Sequence, residues 1–262
     1  MTIIEFRTWE DWVTYCERPR CAGAPFKSRE LVCSEAVWAP PWDRALRLAR
    51  EGWQDEAARL MLAGSVVYDA LGTRILTEEW QYRETDGIGI DVARFCAGEP
   101  ECWTDVVQHE ASGPSRVLRL VVGGFVSCGI DAAVFTRRGA AILSLVELLE
   151  RAGRRVEVTL TFALATYSSV PELEFRVRLK DAEQPIDVPR LAFAIANPAT
   201  FRRLCFAAME GTEGIGVACA RAQYSRGGLQ CTERGDIYLP QATLGESQWA
   251  TPASAQAWVL AE

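Results

Sequence analysis

The pattern that most constrains the fold is a strand, a helix and a second strand between residues 117 and 164. VLRLVV at 117–122 is a nearly continuous apolar run, typical of a buried strand. A helix with Thr136 as its expected cap follows, with one apolar stripe and a stop at Gly153. RRVEVTLTFAL at 154–164 then alternates as a second strand. This order predicts a right-handed βαβ unit with parallel strands.

The elements that follow this unit favour an α/β architecture. Residues 173–180 alternate strictly between apolar and charged side chains, which is typical of a half-exposed strand at an antiparallel edge. Asp187 opens a helical region that is interrupted at Pro198, and residues 236–240 predict a last strand before a polar, mobile tail. We therefore expect residues 111–262 to form a three-layer α/β domain, in which helices cover both faces of the sheet.

The first part of the chain, residues 1–110, is expected to be helical and rich in tryptophan, and to end in a turn-rich linker. Helical spacing after Thr8 predicts a first helix, and a second helix is expected at about 42–62, interrupted at Gly52. Six of the nine tryptophans lie in the first eighty residues. They form either a local core or an exposed patch for a partner, since tryptophan is enriched at interface hot spots. The candidate contact residues are Trp38, Trp42, Trp53 and Trp103.

Charge and hydropathy exclude several classes of function. With a formal net charge of −7, the chain lacks the overall positive potential that drives non-specific binding to nucleic acid. The sequence has no apolar run approaching the roughly 18 residues of a membrane-spanning helix, and no signal peptide is indicated. The nine cysteines are scattered without a CxxC pair, so we expect reduced thiols rather than a metal site. We expect a cytoplasmic protein without cofactor or metal.

An enzyme is the first alternative, although no complete catalytic motif is present. The loop GGFVSCGID at 123–131 follows a strand, but its glycines do not match a dinucleotide fingerprint, and Phe125 stands where a nucleophile elbow needs glycine. A hydrolase or metal-dependent enzyme would have to gather a polar segment and this loop into one cleft. The residues of that alternative site are Asp91, Glu99, Glu101, Asp105, His109, Ser127 and Asp131.

A nucleic-acid binder is the second alternative, because arginine binds phosphate well and occurs here in adjacent pairs. The three pairs are Arg137–Arg138, Arg154–Arg155 and Arg202–Arg203. Arginines at helix ends also cap carbonyl groups or pair with neighbouring acids.

The order of elements over about 115–210 resembles the opening of a von Willebrand factor A domain. In that family the first strand ends in DxSxS, whose oxygens hold a magnesium ion. The corresponding positions here are Gly123, Phe125 and Ser127, so one of the three ligands is kept. The resemblance therefore implies a degenerate domain that binds a protein without a metal.

Four stretches are also similar to an uncharacterised family of bacteriophages and related mobile elements. They are EGW (51–53), DVARFCAGEPECW (91–103), RRGAAILSLVELLERAGRRVEV (137–158) and KDAEQPIDVPRLAFAIANPATFRRLCF (180–206). This similarity implies a phage or mobile-element origin and adds no catalytic residues. Taken together, we expect a non-enzymatic protein that acts by binding another protein.

Overall fold

Local sequence signals place the ends of several helices and strands. A computed structural model describes residues 1–24, 28–30, 39–57, 59–60, 76–110, 117–125, 130–151, 153–167, 169–223, 229–242 and 247–261. In chain order its elements are β1 (Thr2–Phe6), α1 (Trp9–Cys16), α2 (Trp42–Glu51), β2 (Leu76–Arg83), β3 (Gly89–Ile90), α3 (Val92–Cys96), β4 (Trp103–Glu110), β5 (Val117–Gly123), α4 (Ala132–Arg151), β6 (Arg155–Leu164), β7 (Leu173–Lys180), α5 (Val188–Ala196), a π-helix (Thr200–Cys205) that continues into α6 (Phe206–Glu210), α7 (Ile215–Gln223), β8 (Ile237–Leu239), a 3₁₀ turn (Ser247–Trp249) and α8 (Pro252–Ala261).

The fold is mixed α/β, with a five-stranded sheet flanked by helices. The strands lie in the order β1-β7-β6-β5-β8. β5 pairs in parallel with β6 and β8, as does β1 with β7, whereas β7 is antiparallel to β6. The predicted parallel pairing of β5 and β6 and the predicted last strand β8 are confirmed.

The prediction that β7 lies at an edge is wrong. β1 pairs with its outer side, from Thr2 opposite Leu173 to Phe6 opposite Val177. The N-terminal part, expected to be helical, thus also contributes a strand to the main sheet. As a result the charged alternation of β7 is not solvated throughout, and Glu174 is fully buried.

One face of the main sheet carries the large apolar core. Alternate residues of β6, including Val158, Leu160 and Phe162, pack there with the apolar side chains of the helices. Trp12 is fully buried in this core and stacks on Phe162 at 5.6 Å between ring centres. The predicted division at residue 110 therefore does not separate two cores, because residues before and after it share this one.

The opposite face of the sheet is polar, and the segment 229–236 packs against part of it. Its apolar contacts are few and include Cys231. The Thr232 hydroxyl and N–H each donate a 2.8 Å hydrogen bond to Glu174. Helices were expected on both faces of the sheet, but those of the described chain pack on the apolar face. The other face holds buried carboxylate and guanidinium groups, which require polar partners that an apolar helix face does not offer.

Helix boundaries follow their caps. Thr8 caps α1 by accepting a hydrogen bond from the Asp11 N–H, as predicted. The predicted cap of α4 at Thr136 is wrong: the helix begins at Ala132, and the Asp131 carboxylate accepts a 2.9 Å bond from the Ala133 N–H. Thr136 lies one turn later and donates to a backbone carbonyl instead. The predicted stop at Gly153 is confirmed by its φ of 76°, a conformation that favours glycine.

The residues from Ala242 to Trp258 were expected to be polar and mobile, and for the described part, 247–258, this expectation is wrong. Trp249 is 1% exposed, and its ring lies 4.9 Å from that of Trp258. Arg137 on α4 donates from Nε to the Trp249 carbonyl at 3.0 Å. These two aromatic side chains give the segment an apolar anchor on α4, which outweighs its polar composition.

A second, small sheet lies within the stretch expected to be a linker. β4 pairs antiparallel with β2 on one side and β3 on the other, and Asp91 caps the short helix α3 between β3 and β4. We call residues 76–110 the small-sheet module. The β-branched and aromatic residues from Trp103 to Val107 favour a strand, although acidic residues flank them. Across the described residues, no helix is both long and apolar enough to cross a membrane.

Candidate functional site

The acidic residues proposed for an enzyme have local contacts in the small-sheet module. Asp91 caps α3, since its Oδ1 accepts from the N–H groups of Ala93 at 3.0 Å and Arg94 at 3.2 Å. Glu99 is exposed, with Oε2 3.5 Å from Arg94 Nε. Glu101 is exposed, and its carbonyl accepts from Arg94. These contacts give Asp91 and Glu99 roles in holding the turn around α3.

The remaining described members of that predicted site lie on β4 and at the start of α4. Asp105 lies on β4, 3.2 Å from Arg83 Nη2. His109 lies on β4 opposite Thr77, and its side chain is outside the described residues, as is Ser127. Asp131 is exposed at the start of α4. Within the described ranges, no group of three His, Cys, Asp or Glu residues is arranged to hold a metal ion.

The carboxyl ends of β5 and β8 meet a buried guanidinium. Arg138 is fully buried, and its Nη2 donates to the carbonyls of Gly123 at 3.0 Å, Leu239 at 3.2 Å and Pro240 at 2.7 Å. In many α/β folds this edge of the sheet binds the ligand. Here an internal cation binds the backbone oxygens. The magnesium site of von Willebrand factor A domains does not fit here, because Gly123 and Phe125 offer no side-chain oxygen and the nearby carbonyls already accept from Arg138.

Two further buried arginines lie in the π-helix. Arg202 donates from Nη2 to the Ile130 carbonyl at 3.0 Å. Arg203 donates to the carbonyls of Pro40 at 2.9 Å and Ser28 at 2.7 Å. Both side chains are 1% exposed, so they brace the connecting segments and are not available to a phosphate backbone.

The tryptophans proposed as contact residues differ in position. Trp42 and Trp53 are half-buried and pack against the main core. Trp103 is half-buried on β4, opposite Ile90 of β3. Trp38 lies outside the described residues. Trp42 and Trp53 therefore contribute to the main core while part of each side chain stays exposed.

The structure exposes a different group of apolar side chains, which sequence reasoning missed. Five of the ten large apolar side chains that are exposed in the described chain lie within residues 82–95. We call four of them the apolar patch: Ile88 (70% exposed), Ile90 (42%), Val92 (69%) and Phe95 (62%). The fifth, Tyr82 (42%), lies on the other face of the small sheet from Ile90, because Tyr82 pairs with Thr104 whereas Ile90 pairs with Trp103. In the sequence, the glycines and polar residues between these side chains indicate a turn. The alternation of apolar residues with them was the one sequence signal that could have revealed the exposed group.

Specific contacts hold the apolar patch in place. β3 is hydrogen-bonded to β4, and the Asp91 N–H donates to the Cys102 carbonyl at 2.9 Å. The Tyr82 hydroxyl donates to Asp91 Oδ2 at 3.3 Å. The guanidinium of Arg94 lies over the Tyr82 ring, 3.8 Å from its centre. The patch is thus displayed on an ordered turn, helix and sheet, and a partner would meet a preformed surface.

A cleft of about 570 Å³ opens beside the carboxyl end of β6. Its polar lining includes Cys21, Thr166 and Arg221. The Thr166 hydroxyl donates to Glu172 at 2.7 Å, and Arg221 donates to the Gly23 carbonyl at 2.7 Å. The first bond closes the turn between β6 and β7, and the second links α7 to the segment around Gly23.

Residues 1–260 match the protein family described as Domain of unknown function (DUF7192). The chain belongs to this family. The sequence-based expectation that the chain belongs to an uncharacterised family is confirmed to this extent. No curated protein and no solved structure matches the chain. Because the match covers nearly every residue, the main sheet and the small-sheet module both lie within the family's domain.

Proposed function

We propose that this protein is a non-enzymatic binding protein that holds a protein partner through the apolar patch. The observation that carries the proposal is the concentration of exposed apolar side chains on residues 82–95. Large exposed apolar side chains are ordinarily scattered singly, and a local concentration of them is typical of an interaction surface.

Energetics favour the same function. Ile88, Val92 and Phe95 are each about two-thirds exposed. Burying the remainder of each side chain in an interface contributes roughly 1–2 kcal/mol. The turn around α3 is already ordered, so binding does not have to fix it, and more of this free energy is left for affinity.

Three finer features complete the proposal. A degenerate von Willebrand factor A-like origin is supported by the order β7-β6-β5-β8, in which only β7 opposes its neighbour β6. A cytoplasmic site is supported by buried free thiols such as Cys16 and Cys205, which suit a reducing compartment. A phage or mobile-element carrier is supported by the four sequence stretches quoted above.

Affinity capture from a lysate of the organism that encodes the protein tests the binding function. The bait is compared with the double variant Val92→Ser/Phe95→Ser and with the matched control Tyr167→Ser/Val170→Ser. Tyr167 and Val170 are 76% and 63% exposed and lie outside the small-sheet module. Circular dichroism first establishes that all three proteins have the same fold.

We expect a stoichiometric protein that the wild type and the control retain and that the patch variant loses. A partner that the patch variant binds as well as the wild type would contradict the proposed surface. Failure of the wild type to retain any protein would contradict the proposed function itself.

A further inference from the structure

Negative charge surrounds the apolar patch. Between residues 82 and 105 the chain carries six acidic residues and two arginines, a formal net charge of −4. The acidic residues are Glu84, Asp86, Asp91, Glu99, Glu101 and Asp105, all of them exposed or half-buried. More than half of the whole chain's net charge of −7 therefore falls on this short stretch.

Each of the two arginines is paired with a carboxylate of the small-sheet module. Arg83 Nη2 lies 3.2 Å from Asp105, and Arg94 Nε lies 3.5 Å from Glu99. Arg94 is also held over the Tyr82 ring. Each guanidinium thus offsets a carboxylate of the same module, and the surplus negative charge is carried by the remaining acidic side chains.

From this combination we infer that the partner contributes a basic amphipathic segment, with apolar and Lys or Arg side chains on one surface. The inference rests on the proposed function. Apolar contacts with the patch supply affinity, while the acidic surroundings attract positive charge and disfavour negative charge. A second copy of this chain is a poor occupant, because its own patch would bring the same negative charge into contact.

The size of the surface limits the length of the segment. Ile88 to Phe95 spans eight residues, but Val92–Phe95 are helical, so the patch extends at most about 18 Å along the chain. A helix of about 18 residues is roughly 27 Å long and therefore covers the patch with nearly a turn to spare at each end. An amphipathic helix of that length places apolar residues at three- and four-residue spacing along the whole patch.

Isothermal titration calorimetry on the full chain tests this inference with three synthetic peptides of 18 residues. The first is an amphipathic lysine–leucine helix. The second replaces every lysine with glutamate. The third keeps the lysines and replaces every leucine with serine, so that it carries the charge without an apolar face.

We expect the lysine–leucine peptide alone to bind, and to bind at least tenfold more weakly to Val92→Ser/Phe95→Ser. The control Tyr167→Ser/Val170→Ser should bind it as the wild type does. The variant Glu84→Gln/Asp86→Asn should bind this peptide about three- to tenfold more weakly than the wild type does. Raising the salt concentration from 0.15 to about 0.5 M should weaken binding to the wild type by a similar factor.

Three results would overturn the inference. One is equal binding of the glutamate–leucine peptide. Another is binding of the lysine–leucine peptide that the patch substitutions leave unchanged, which would reveal only general attraction to an acidic protein. The third is no peptide binding while lysate capture still yields a patch-dependent protein, in which case the binding function stands and the partner chemistry is wrong.

Discussion

The guanidinium of Arg94 lies 3.8 Å from the centre of the Tyr82 ring, and this contact joins α3 to β2. The same tyrosine donates its hydroxyl to Asp91, the residue that caps α3. Tyr82 therefore helps to attach the helix that carries Val92 and Phe95 to the small sheet.

Replacing Tyr82 with serine should loosen α3 without unfolding the protein. A cation–π contact at an exposed site contributes about 0.5–1 kcal/mol, so amide hydrogen exchange at residues 93–97 should accelerate about two- to fivefold. Tyr82→Phe keeps the ring and loses only the hydroxyl, and its effect should be smaller. An equal effect of the two substitutions would assign the attachment to the hydroxyl instead.

Arg138 should be a major determinant of stability. Arg138→Met removes the donor that three backbone carbonyls share at the ends of β5 and β8. Leaving buried acceptors without a partner costs about 1–3 kcal/mol each, so the free energy of unfolding in urea should fall by about 3 kcal/mol or more. Arg151→Met is the matched control: its side chain is 71% exposed, and the change should stay within about 0.5 kcal/mol. Similar losses for both variants would contradict the bracing role.

Glu210 should make stability depend on pH. Burial raises the pKa of its carboxyl above the ordinary 4.5, although hydrogen bonds from the Ser28 N–H and hydroxyl lower it. The native state thus binds this proton more tightly than the unfolded chain. The stability it contributes is complete below pH 4.5 and is lost as the pH rises through the raised pKa.

Urea unfolding between pH 4.5 and 7 checks this prediction. Glu210→Gln, which is neutral and still accepts from Ser28, should lose less stability over this range than the wild type. Glu99→Gln alters an exposed carboxylate and should follow the wild type. Identical pH profiles for the wild type and Glu210→Gln would contradict the effect of burial.

The thiols should differ sharply in reactivity. Cys96 is exposed, whereas Cys16, Cys205 and Cys219 are buried, and burial raises the pKa of Cys219 to about 12. Because the thiolate is the reactive form, a brief iodoacetamide pulse on the native protein should label Cys96 and leave the other three unlabelled. Peptide mass spectrometry reads out the result. Early labelling of Cys205 would show that the core opens readily.

Elements with local signals could be predicted from the sequence. Thr8 and Gly153 mark helix ends through their own backbone chemistry, and the alternation of β6 follows from which face is buried. The pairing of β1 with β7 joins residues about 170 apart, and no local pattern encodes such a contact. This pairing is why β7 was misplaced at an edge.

The candidate surface was harder to predict, because exposure depends on the tertiary structure. Trp42 and Phe95 are both large and apolar in sequence, but the first packs against the main core and the second is 62% exposed. Likewise, Arg137–Arg138 looks like a basic pair, although Arg138 is fully buried. Hydrophobicity and charge alone do not distinguish these cases.

Site-specific photo-crosslinking tests the central claim, that the apolar patch is the binding surface, most directly. One version of the protein carries p-benzoylphenylalanine in place of Phe95, and a second version carries it in place of Tyr167. Cells of the organism that encodes the protein, producing one version or the other, are irradiated. Position 167 is the more exposed, at 76% against 62%, so accessibility alone favours the control. The account predicts a discrete protein adduct from position 95 that position 167 does not form. An identical adduct from both positions, or one from position 167 alone, would contradict it.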